Sequence, residues 1–205
     1  MIKRDWEKWW VEKALADFPR RSKYVAGMAI TIPPEESPVR KIIVKEALKS
    51  GDTVLDGGCA TCIDYDLFKD TKIKYTGVDI TDKFLDYAKQ LYPEIDVRHA
   101  SIINLPFLDE SYDTVYFKSI IEHIHPDEWR AAITEGWRVA KHKFMLCFVL
   151  KPWDAPAEYK QTKELFWNNH LNRQELYDHL KSIGVGQITY HKDIGRHDLY
   201  IMEKQ

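Results

Sequence analysis

Between residues 53 and 150, apolar runs of strand length alternate with segments whose apolar residues recur every three or four positions. That alternation predicts strand, helix, strand in turn: an α/β chain whose parallel sheet is covered by helices on both faces. Strands are expected near 53–57, 73–79, 96–100, 112–118 and 143–150, the last containing the uninterrupted apolar run of a strand buried on both sides. Segment 82–91 carries Phe84, Leu85, Ala88 and Leu91 on one helical stripe. A further helix, beginning near Pro126, turns Trp129, Ala132, Ile133 and Trp137 inward, with Lys141 and Lys143 near its C-terminal side. Ahead of the first strand, SPVRKIIVKEALKSG reads as a helix that Pro38 starts and Gly51 ends.

The flanks are less regular. Residues 1–18 read as a helix with Trp6, Trp9, Trp10 and Ala14 on one side, a face that either packs on the domain or closes over a ligand as a lid. Pro19, Gly27, Pro33, Pro34 and Pro38 make 19–38 loop and turns. After Lys151 the alternation breaks for a stretch rich in proline and in Trp153, Tyr159, Phe166 and Trp167, read as a cover on the ligand side or a short extra helix. Asn172 and Glu175 then have capping-box spacing for a helix ending at Gly184, and ITYHKD, IGR and HDLYIMEK give two strands of an antiparallel finish.

One stretch carries chemistry. In TVLDGGCATCIDYDLF, residues 53–68, a strand runs into small residues and then a short helix; Gly57, Gly58 and Ala60 would let the backbone turn sharply and approach a ligand. Asp79, in GVDIT at the next strand's tip, lies 21 residues past Gly58, near the ~20 at which an acidic side chain accepts the ribose hydroxyls of a nucleotide cofactor.

The run VLDGGCATC is similar to the first motif of class I S-adenosylmethionine-dependent methyltransferases, V-L-D-x-G-C-G-x-G, with Ala60 and Cys62 in the last two glycine positions. HASIINLPFLDESYDTVYFKSIIEHI, residues 99–124, resembles the same family's adenine loop, fourth strand and following helix. The resemblance implies a Rossmann-like, doubly wound sheet of seven strands in the order 3-2-1-4-5-7-6 with the last antiparallel. Residues 1–205 would be a single domain, 1–38 an N-terminal helical extension and candidate lid. The implied cofactor is S-adenosyl-L-methionine, and the implied reaction is methyl transfer to an O or N atom of a small-molecule, sugar or lipid-precursor acceptor.

By that resemblance Gly58, with neighbouring Gly57 and Cys59, would hold the methionine moiety, Asp79 the ribose, and Ser101 with Ile102 the adenine, with Ile80 and Lys118 completing the cofactor-binding set. Asp56 would either order the loop or touch the ligand. Glu122, His123 and His125 form the titratable cluster at the substrate edge, and Glu122 and His123 are the candidate catalytic pair, His123 either orienting groups or acting as general base. Ala60 disfavours positive φ, Cys62 suggests looser packing or a different turn, and Ser101 stands where family members often carry Asp. These departures keep a rival open, a non-catalytic cofactor-binding or partner-binding protein that retained the fold.

Composition narrows the field further. With 44% hydrophobic and 30% charged residues in 205, one domain with a full core is expected. A formal charge of −2 gives no basic footprint, so no nucleic acid is expected, and Arg20, Arg21 and Lys23 read as a solvated face. No apolar run reaches the ~20 residues of a membrane span, and the charged, aromatic start is unlike a signal sequence, which points to the cytoplasm. Cys59, Cys62 and Cys147 make an odd count without a disulfide framework. The C-x-x-C spacing of the first two admits a thioredoxin-like redox pair, but a metal site would need a second pair of ligands, and no metal is expected.

Overall fold

Helix α1 (Pro38–Ser50) begins on its proline and ends at Gly51, where the chain passes so close to Asp113 that a side chain would overlap the carboxylate. The computed structural model describes residues 37–161 and 167–205. The expected N-terminal helix and the loop through residue 36 lie outside the described residues. From β1 (Thr53–Gly57) the chain passes through a 3₁₀ turn (Ile63–Leu67) to β2 (Lys74–Asp79), α2 (Asp82–Leu91) and β3 (Asp96–His99). Next come β4 (Tyr112–Lys118), a 3₁₀ turn (Ile121–His123), α3 (Trp129–Val139) and β5 (Ala140–Phe148). The short β6 (Glu158–Gln161) and β7 (Trp167–His170) precede α4 (Arg173–Ser182), β8 (Gln187–Ile194) and β9 (His197–Glu203).

The main sheet has seven strands in the order β3-β2-β1-β4-β5-β9-β8. This is the expected 3-2-1-4-5-7-6, shifted only because β6 and β7 occupy two places in the strand count. β1 pairs in parallel with β2 and with β4, Leu55 lying between Thr76 and Val115. β9 runs antiparallel to β5 and to β8. The direction of strand addition reverses at β1, so a crevice opens beyond the C-terminal ends of β1 and β4.

Alternation along the strands divides the core between the two faces. Val54, Tyr116, Met145 and Leu199 pack with Val39, Ile43 and Ala47 of α1 and with Leu85 and Ala88 of α2. Leu55, Val115, Phe117 and Phe144 pack instead with Trp129, Ala132 and Ile133 of α3 and with Leu176 and Leu180 of α4. Each Val, Leu, Ile, Phe or Met among these contributes roughly 1.5–3 kcal/mol when taken from water, which is what holds helices to both faces.

Three boundaries differ from the sequence expectation. α3 starts at Trp129 rather than near Pro126, and the chain passes from Val139 directly into β5, so Lys141 and Lys143 are strand residues. The early start of β5 follows from pairing, since Ala140 already lies opposite Tyr112. Among the described residues of 151–170, where a cover or a short extra helix was expected, β6 and β7 form a two-stranded antiparallel ribbon; Pro152 and Pro156 precede it, and Tyr159 lies opposite Asn169. Elsewhere the turn chemistry is as read: the Asn172 side chain accepts the Glu175 N–H at 2.9 Å to cap α4.

Gly136 sets how closely α3 lies on the sheet. A β-carbon there would fall 2.4 Å from the Phe144 ring, itself edge-on to Phe117 at 5.1 Å. Gly136→Ala should therefore destabilise the fold by about 1–3 kcal/mol despite the better helix propensity of alanine. Thermal denaturation should show a melting temperature lowered by several degrees, at roughly 2–4 °C per kcal/mol; an unchanged or raised value would contradict this packing.

Candidate functional site

Beyond β1 the backbone enters left-handed conformations at Gly58 (φ 74°), Ala60 (φ 47°) and Cys62 (φ 55°). The last two positions thus keep the conformation that glycine favours, in place of the different turn that Cys62 suggested. Such residues cost on the order of 1–2 kcal/mol each, so neighbouring contacts must hold them. Those contacts come from the end of β2. The Val78 carbonyl accepts the N–H groups of Gly58 (2.8 Å) and Cys59 (3.0 Å), and Asp79 Oδ2 accepts that of Ala60 (3.0 Å). Asp79 Oδ1 accepts the Thr81 N–H at 2.9 Å, fixing the start of α2. Burial raises the pKa of Asp79 against the lowering effect of these backbone donors. The Thr81 hydroxyl and the Ile80 N–H also act on this carboxylate and lower its pKa.

On the α1 side of the crevice lies a compact charge cluster. Arg40 Nε donates to Asp64 Oδ1 at 2.6 Å, both side chains being about 5% exposed, and Lys118 Nζ lies 3.7 Å from Asp64 Oδ2. Two cations therefore share one carboxylate. Asp56, at the floor, accepts the Tyr75 hydroxyl at 2.6 Å. Burial, and then the nearby charge of Asp64, push its pKa up to about 7. Gly57 ends β1 against the Phe117 ring, and Ile102 lies beside it. Ser101 bridges to Asn104, and Ile80 and Ser101 are half-buried at the crevice margin.

The third wall follows β4. Ile120 covers Gly58, so the turn containing Glu122 and His123 borders the loop after β1. Glu122 is fully buried, and its Oε1 accepts the Val149 N–H at 2.9 Å. His123 Nδ1 donates to the Trp167 carbonyl at 2.9 Å, which joins the turn to β7. Asn169 of β7 donates to the Ile124 carbonyl at 2.8 Å. His125 is partly exposed, edge-on to Trp167.

Cys59, Cys62 and Cys147 are free and buried. Cys59 and Cys62 both pack over Gly77, where a β-carbon would lie 2.8 and 2.9 Å from the two sulfurs. Burial, then the hydrogen bond to Cys62, hold the Cys59 thiol well above its ordinary pKa, an environment opposite to that of a reactive redox pair. Among the described residues no helix is long and apolar enough to cross a membrane, and no group of three or more potential metal-ligating side chains is gathered.

A methyltransferase-domain family model matches residues 54–143, the span from β1 into β5 that builds this crevice. A Mycolicibacterium smegmatis protein named a probable S-adenosylmethionine-dependent methyltransferase is 31% identical over 94 residues, 45% of this chain and 35% of its own length. An uncharacterized protein of Methanocaldococcus jannaschii is 30% identical over 149 residues, 73% of this chain and 60% of its own. The chain thus spans between about a third and three fifths of these curated relatives. Among solved structures, magnesium protoporphyrin IX methyltransferase from Synechocystis, with bound S-adenosylhomocysteine, superposes with a TM-score of 0.71 at 14% identity, covering 97% of this chain and 98% of that one. The fold is that of the class I methyltransferases, and its β1–β5 segment matches their domain model.

In this fold the structure brings together Asp56, Gly57, Gly58, Cys59, Asp79, Ile80, Ser101, Ile102 and Lys118 around the C-terminal ends of β1, β2, β3 and β4, with Glu122 and His123 beside them. Sequence reading missed Arg40, Asp64 and Asn169. Arg40 sits in a basic stretch that resembles a solvated helix face, Asp64 in an acidic run, and Asn169 in the segment read as a cover; only long-range packing distinguishes them.

Asp56 makes the domain sensitive to pH. Its pKa in the fold, about 7, lies above the ordinary carboxylate value, so the native state keeps a proton that the unfolded chain releases. Its contribution to stability is fully present below about pH 4, is lost as pH rises to about 7, and is constant above that. Asp56→Asn, which retains an acceptor for Tyr75, should flatten this part of a urea-unfolding profile; a fall as steep as that of the wild type would show that Asp56 is not its source.

Proposed function

We propose that the chain transfers the methyl group of S-adenosylmethionine to an O or N atom of a small-molecule acceptor. The observation that carries this reading is the Asp79 carboxylate, held at the tip of β2 against a left-handed loop at the switch point. A ribose diol would donate its hydroxyls to a carboxylate so placed. The amino-acid end of the cofactor is a zwitterion, and Arg40 and Lys118 with Asp64 offer two positive groups and one negative beside the same loop. The loop's N–H groups at 58–60 are already taken by Val78 and Asp79, so these side chains supply what the backbone there does not. Ile80 and Ile102 offer apolar contact to an adenine ring, while Ser101 brings a hydroxyl without charge.

The bound cofactor supplies an activated methyl group, and the chain supplies alignment and exclusion of water. The rival reading of a binding protein drew on the replaced glycines; the left-handed geometry kept at Ala60 and Cys62 weakens that ground. We place the protein in the cytoplasm, a setting that suits three unpaired thiols, and expect no nucleic-acid partner from its slightly negative charge.

Removing the ribose acceptor tests the cofactor assignment. Asp79→Ala should weaken S-adenosylhomocysteine binding about tenfold or more, the worth of a hydrogen bond to a charged group. Calorimetry giving wild-type affinity for that variant would refute the ribose role.

Turnover separates the two roles of His123. With its Nδ1 donating to the Trp167 carbonyl, His123 reads as an orienting group. His123→Asn should then keep much of the rate and the shape of the pH-rate profile. A fall of ~10²- to 10⁴-fold with cofactor affinity intact, and loss of one limb of the profile, would instead make it the general base.

A further inference from the structure

Two fully buried side chains beside the crevice each hold one oxygen without a partner. Glu122 uses Oε1 for the Val149 N–H, and its Oε2 has no hydrogen bond among the described residues. Asn169 uses its amide N–H for the Ile124 carbonyl, and its Oδ1 likewise has none. Both are fixed to the same turn, one as a member and one through the carbonyl of the next residue. Ile120, the residue before that turn, lies against Gly58 of the cofactor loop. Buried polar atoms left bare are costly and call for a partner.

Resting on the methyltransferase reading above, we propose that Glu122 Oε2 and Asn169 Oδ1 form the acceptor site and that the acceptor they select is a small-molecule primary amine. An NH₂ group offers two N–H bonds, one for each oxygen, and keeps its lone pair for the methyl carbon. An alcohol offers one O–H and leaves an oxygen bare. A carboxylate or phosphate offers none and sets lone pair against lone pair. A third bare group, Trp167 Nε1, is a donor and suits an accepting atom elsewhere on the same molecule.

A primary amine arrives as its ammonium ion and gives one proton to the Glu122 carboxylate, which frees the nitrogen lone pair. In the transfer that lone pair forms the N–C bond as the C–S bond breaks and its electron pair passes to sulfur, leaving a neutral thioether and a secondary ammonium; the Glu122 proton passes to water as the product leaves, and the restored carboxylate faces the positive nitrogen. Beside the turn lies the β6–β7 ribbon. It is a separate two-stranded sheet, tied to the turn by the His123 and Asn169 hydrogen bonds, and isolated pairs of this kind are only marginally stable.

Matched probes test this on the full chain saturated with S-adenosylhomocysteine: benzylamine, benzyl alcohol and benzoate, measured by calorimetry. Benzylamine should bind at least about tenfold more tightly than the other two. Glu122→Gln should remove that preference while S-adenosylhomocysteine binds as in the wild type, which separates this proposal from the cofactor assignment. If Glu122→Gln fails to fold, Asn169→Ala should show the same loss in smaller measure. Equal binding of the three probes, or an amine preference untouched in whichever variant folds, overturns the proposal; a wild-type chain that does not take up S-adenosylhomocysteine overturns the methyltransferase reading and this one with it.

Discussion

The Asp79 carboxylate fixes the loop above the sheet. One oxygen holds Ala60 and the other Thr81, so the turn leaving β1 and the turn leaving β2 are tied through a single side chain. The Val78 carbonyl adds Gly58 and Cys59 to the same anchor. Without it, the left-handed conformations at Ala60 and Cys62 would relax toward the ordinary regions that non-glycine residues prefer. The loop can accept alanine and cysteine where glycine is the natural choice because these hydrogen bonds, together with the packing of both thiols on Gly77, outweigh the local strain.

A second layer of charge depends on that geometry. Arg40 reaches from α1 to Asp64 in the 3₁₀ turn, and both are buried. Breaking such a pair on one side costs roughly 3–5 kcal/mol because the remaining charge stays out of water. The pair therefore locks α1 to the loop after β1. Lys118, at the end of β4, joins the same carboxylate more loosely, and Asp56 below takes the Tyr75 hydroxyl. Elements from four parts of the chain thus converge on a volume whose electrostatics no single segment determines.

This convergence explains what could be read from the amino acids alone. Strand periodicity and the small residues at 57–60 located the sheet and its switch point, because these follow from local sterics and from burial on two faces. Asp79 was legible for the same reason, being set by distance from a strand end. Arg40 and Asp64 were not, since each is ordinary among its sequence neighbours and acquires a role only through a contact 24 residues away. The ribbon escaped for a related reason. Its pairing of Glu158–Gln161 with Trp167–His170 draws on exposed and half-buried polar residues, which carry little of the alternation that marks strands of the main sheet.

The parallel centre of the sheet has a consequence for how the chain reaches its fold. Thr53 and Asp113, which hydrogen-bond to each other at the base of β1 and β4, are separated by 60 residues. At synthesis rates of ~5–20 residues per second, β1 waits roughly 3 to 12 seconds for that partner to be made. Through that interval Val54 and Leu55, fully buried in the finished protein, sit on a strand with one open edge. Such an edge pairs readily with the wrong strand. Nascent molecules of this topology are thus most vulnerable to aggregation before β4 is complete.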